Sequence, residues 1–128
     1  MEPWVTRLEL EAGAKIFVED KGTFATVLAS SAAFITERGE LAKKLVAAHT
    51  ELTQWIKDHP AEARELIKAE LKELTTKAPT DELLDKALPR VILNTEVSRA
   101  GLDEMVTAAQ KVGFLKDIPA LDNLLPKL

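Results

Sequence analysis

No cysteine stands anywhere in the chain. That excludes disulfides and any zinc site built on thiolates, and it leaves the redox compartment open. The only histidines are His49 and His59, ten positions apart, so no helical pair of histidine ligands forms. His49 lies near the edge of an apolar stripe and His59 at a helix junction, and both read as packing, surface or turn residues. The five glycines fall at predicted turns and helix ends and build no phosphate loop. Lysine and arginine are scattered, and the tightest basic pair is Lys43-Lys44. With a formal net charge of −4 and no basic stripe interleaved with aromatics, no nucleic-acid partner is expected. No apolar run approaches membrane-spanning length. Met1 to Val5 carry neither the basic segment nor the apolar core of a signal peptide, so the sequence as written is expected to remain cytoplasmic.

What is present is a globular composition: 46% hydrophobic and 30% charged residues over 128 positions. That length suits one domain able to bury a core without staples, and residues 1–128 are read as a single unit.

Helical periodicity dominates. Leu41, Leu45, Ala48, Leu52 and Trp55 with Ile56 recur as one apolar stripe on a predicted helix from about Glu40 to Asp58. The stripe is expected to face the core, with Trp55 buried in it. Before this helix, Pro3 to Ala12 reads as a short helix closed by Gly13. Ser30 or Ser31 can cap a second short helix, Ala32 to Arg38. After it, Pro60 opens a helix whose face is Ala63, Leu66, Ile67, Leu71 and Leu74. Thr80 caps another, carrying Leu83, Leu84, Ala87 and Leu88, which Pro89 should end or kink. Val91 to Leu93 is ambiguous and could continue a kinked helix. Ser98 caps the last long helix, with Leu102, Met105, Val106, Ala109 and Val112 on one side and Gly113 at its end. The tail reads as short turns.

Two stretches read as strands: Ala14 to Val18, and Thr23 to Ala29 with β-branched and aromatic residues on both faces. Apolar residues on both faces suggest a strand buried inside a parallel or mixed sheet.

Catalytic chemistry is not apparent. Of the 21 carboxylates, Glu37, Glu40, Glu62, Glu65, Asp81 and Glu82 cluster near helix starts, where the macrodipole accounts for them, and no pair is set apart for acid–base work. Ser30-Ser31 have no nearby histidine and no nucleophile-elbow pattern. No enzyme activity, cofactor or metal is expected.

The order of segments does carry a resemblance. Glu2-Pro3-Trp4-Val5, then a helix, Gly13 and a strand, is followed by Val27-Leu28-Ala29-Ser30 with Phe34-Ile35 and Glu37. Leu45-Val46-Ala47-Ala48-His49, Trp55-Ile56 and His59-Pro60 with Glu62-Ala63 come next, and Val112-Gly113-Phe114-Leu115 through Pro119 to Leu125 closes the series. This order resembles the C-terminal part of the substrate-binding proteins of nitrate, aliphatic sulfonate and taurine ABC importers, including the thiamine-precursor binders. Those are type II periplasmic binding proteins, with two α/β lobes clamping a ligand.

The resemblance implies an α/β fold. Residues 1–22 would be the end of the second lobe. Residues 23–128 would be the crossing strand and the helices returning to the first lobe. It implies a partial solute-binding component for small anions, periplasmic or extracellular in the parent family, with an ABC permease as partner. Carried over position by position, Glu2 and Trp4 would approach the ligand cleft, with Thr23 and Phe24 at the crossing. Pro3-Trp4 equally reads as a helix start with a buried indole. Because most of the clamp would lie upstream of Met1, tight binding of the anion is not expected from this chain alone. An orphaned strand at 23–29, or an uncovered helix face, would favour a homodimer. The alternative reading is an independent helical protein-interaction module, resting on the acidic, capped and striped character of residues 30–113.

Overall fold

Side-chain oxygens start three of the helices, where the sequence places them. In a computed structural model that describes residues 1–20, 24–118 and 120–125, Ser31 Oγ accepts the Phe34 N–H at 3.1 Å. Thr80 Oγ1 accepts from Leu83 N–H at 3.2 Å, and Ser98 Oγ from Gly101 N–H at 3.0 Å. Each satisfies a donor that the first helical turn leaves without a partner, typically for about 1 kcal/mol.

The helices are α1 (Trp4–Ala12), α2 (Ala32–Glu37), α3 (Gly39–Asp58), α4 (Pro60–Thr75), α5 (Asp81–Ala87) and α6 (Arg99–Lys111). Short 3-10 turns follow at Leu88–Arg90 and Leu121–Leu124. Gly13 and Gly113 take φ of 63° and 80°, so each can close a helix in the left-handed region without a Cβ penalty. Pro89 tightens the end of α5 into the first 3-10 turn, Val91 is extended, and Val91 to Leu93 are not helical, so no kinked helix runs on.

The α/β expectation is corrected here: no strand forms among the described residues. Ala14 to Val18 and Phe24 to Ala29 carry strand-forming side chains, yet no second segment pairs with either. A strand is stabilised by cross-strand partners, and propensity alone does not supply them. Phe17 is 98% exposed, the opposite of a sheet interior.

The chain gathers into two compact units: Met1–Glu19 with Thr50–Leu93, and Asp20–His49 with Asn94–Leu128. Helix α3 is continuous and contributes its first half to the second unit and its second half to the first.

In the first unit, α1 packs on α5. The buried residues of this unit are Thr6, Thr53, Ala63, Leu84 and Ala87, and Leu84 is the one large apolar side chain among them. Leu83 and Leu88 are half-buried, as the α5 pattern requires. On α4, Ile67 and Leu71 are half-buried while Leu66 and Leu74 stay exposed, so only part of the expected stripe faces inward.

Two ion clusters bind this unit together. Arg90 Nη1 donates to Glu9 Oε2 at 2.6 Å, and at 3.2 Å to both Glu2 Oε1 and Thr6 Oγ1. That satisfies the fully buried Thr6 hydroxyl and ties α1 to the turn after α5. Arg64 donates to Asp81 and Asp85 of α5 at 2.7 and 2.9 Å and to Glu65 at 2.6 Å. Lys68 joins Asp81 at 2.6 Å.

In the second unit Ala42, Gly101 and Leu121 are buried. Gly101 sits close to the Phe24 ring: a Cβ there would stand 2.9 Å from Phe24 Cε1 and 2.9 Å from the capping Ser98 Oγ. Arg99 bridges Asp103, at 3.1 Å, and Asp122 of the second 3-10 turn.

Candidate interaction surface

Among the residues singled out for a ligand cleft, Glu2 is already engaged. Its Oε2 accepts the Thr6 N–H at 3.1 Å and its Oε1 accepts from Arg90. Partial burial pushes its pKa up, but the bonds from Thr6 and Arg90 outweigh burial and hold it below the ordinary value. Trp4 is 61% exposed, so the buried-indole alternative does not hold; the Arg7 guanidinium carbon lies 5.8 Å from the ring centroid. Phe24 is half-buried in the other compact unit, against Gly101. Thr23 lies outside the described residues.

The clusters of charge have structural geometry. The Arg90 hydrogen bond holds Glu9 below the usual carboxylate range, and Lys68 followed by Arg64 does the same for Asp81. Arg64 and Arg90 are raised in turn by their carboxylate partners. Such groups keep their charges and hold helices in register. Among the described residues no group of three or more His, Asp or Glu could hold a metal ion. No helix among them is long and apolar enough to cross a membrane.

His59 takes a more definite role than a turn residue. Its ring stacks on Trp55 at 4.9 Å and 14°, and its Nδ1–H donates to the Trp55 carbonyl oxygen at 3.0 Å. Trp55 itself is half-buried, so the expectation of a core tryptophan is corrected. It borders an open depression with Ala61, Glu62, Glu65 and Leu66, too shallow to enclose a small ligand.

The largest departure from expectation lies along α3. Its buried residues are Ala42 and Thr53, with Gly39, Trp55 and Ile56 half-buried. Ala42 and Thr53 stand one residue, or about 100° of helix rotation, on from Leu41 and Leu52, while Trp55 and Ile56 keep the C-terminal end of the stripe partly covered. Leu41, Leu45 and Leu52 are 49%, 50% and 55% exposed, and Ala48 is exposed between them. The helix therefore turns small side chains inward and leaves its leucines outside. No family model, curated protein or solved structure matches the chain.

Proposed function

We propose that this chain is a helical protein-interaction module whose working surface is the leucine face of α3. One observation carries the reading: three leucines and an alanine at helical spacing lie in a row on the outside of a 20-residue helix. Isolated exposed leucines are ordinary, but a continuous apolar row marks a surface meant to be covered. Fully burying a leucine is worth about 1.5–3 kcal/mol, so covering the exposed half of each of these contributes roughly 1 kcal/mol. The matching partner is another amphipathic helix laid along the row.

The test is the variant Leu45→Asp/Leu52→Asp compared with the parent chain by cross-linking and pull-down. Both positions are exposed, so the variant should keep its helix content in circular dichroism. It should lose a stoichiometric protein partner, whether another copy of the chain or a different protein. Retention of every partner and of all self-association by a folded variant overturns the reading.

The order of segments from Glu2 to Leu125 favours a second reading, a component of an importer for small anions. The encoding locus tests it: an upstream stretch resembling the first lobe supports this reading, and an upstream stretch with nothing of that lobe removes its support.

A further inference from the structure

Resting on the reading of α3 as an interaction face, we infer that its occupant is the α3 of a second copy, laid antiparallel across a two-fold axis. Leu41, Leu45, Ala48 and Leu52 are spaced four, three and four apart, the repeat of a two-helix seam. An antiparallel copy in one register sets Leu45 against the partner's Ala48 and Leu41 against the partner's Leu52. Large then meets small at the centre, and leucine meets leucine at the ends.

The charges along the seam select that register. Lys44 and Glu51 line the edge of the stripe farther from the buried positions of α3, and both are exposed. Among the described residues neither has an ion-pair partner, whereas the neighbouring Lys43 is held by Glu40 at 3.0 Å. In the antiparallel register Lys44 stands beside the partner's Glu51, and the two-fold axis repeats the pair. Ala42 and His49 form the other edge and bring no acidic or basic clash. Sliding the copies by one heptad places Glu51 against the partner's Glu51, which opposes that register. A parallel pair would set Lys44 and Glu51 opposite His49 and Ile56, leaving both without a carboxylate or ammonium partner. The surface is therefore self-complementary in one arrangement, as a two-fold interface must be.

The test uses the whole chain and two charge reversals, Lys44→Glu and Glu51→Lys, at positions whose exposure leaves folding undisturbed; equal melting temperatures at about 1 μM, where every chain is monomeric, verify this. Mass is followed by sedimentation from about 1 μM to about 1 mM, the range in which a short seam dissociates. The parent chain should pass from 14.1 kDa to twice that mass. Each single variant should associate at least about tenfold more weakly, because like charges then face each other twice. An equimolar mixture of K44E and E51K should recover the dimer, since every reversed charge meets its opposite on the other chain. The K44E/E51K double variant should recover it as well.

Dimerisation of the parent chain without recovery in the mixture overturns the antiparallel register. A parent chain that stays at 14.1 kDa throughout overturns the self-association proposal, including when it instead floats with anionic phospholipid vesicles. Neither result decides the broader reading, because loss of a different protein partner by L45D/L52D would still support that one.

Discussion

Leu84→Ala should be the most damaging single truncation in the first unit. Leu84 is 1% exposed and is the one large apolar side chain buried there. Truncation of a buried leucine costs about 2–5 kcal/mol, a large part of the stability of an ordinary domain. With a urea m-value of about 2 kcal/mol/M, the midpoint should fall by roughly 1–2.5 M. Urea melts followed by circular dichroism, at one fixed protein concentration, measure it. Leu74→Ala serves as the control: at 70% exposure it should shift stability by no more than about 0.5 kcal/mol. If the two variants melt alike, Leu84 does not hold the unit together and the packing described for α5 is wrong.

Two further outcomes are expected. Thr76, which closes α4 at φ 60°, is a β-branched residue in the left-handed region. Thr76→Gly should relieve about 1–2 kcal/mol of backbone strain, against about 0.5–1 kcal/mol of added chain entropy. A small rise in melting temperature is expected, and a fall would refute the strain. Glu2, Glu9 and Asp81 are depressed by their partners, so the stability they add is complete above the ordinary carboxylate range near about 4. It is lost as pH falls through their lowered values. The melting temperature should hold from about pH 7 to 5 and drop below about 4, and Glu9→Gln should make that acid decline shallower. A variant curve parallel to the parent's would show that Glu9 takes no part.

Helix placement was legible in the sequence because its determinants are local. Ser31, Thr80 and Ser98 reach a donor three residues on in the same chain, Pro60 starts a helix that it could not continue, and Gly13 and Gly113 end two. None of these choices depends on what packs outside its own turn. The α5 face was legible too, since Leu84 and Ala87 follow helical spacing inward.

What the tertiary structure alone decided needs a second segment. Ile16, Phe17 and Val18 have strand propensity, but a strand exists only when another stretch takes its hydrogen bonds, and none does so here among the described residues. Arg90 gathers Glu2, Thr6 and Glu9 from more than 80 positions away, a distance at which no spacing pattern signals a contact. The candidate surface shows both sides at once. Periodicity identified the row of Leu41, Leu45, Ala48 and Leu52. It could not say whether the row faced the chain's own core or the outside, because an apolar face looks the same in either use. The inward packing of Ala42 and Thr53 settled its orientation and left the leucines outside.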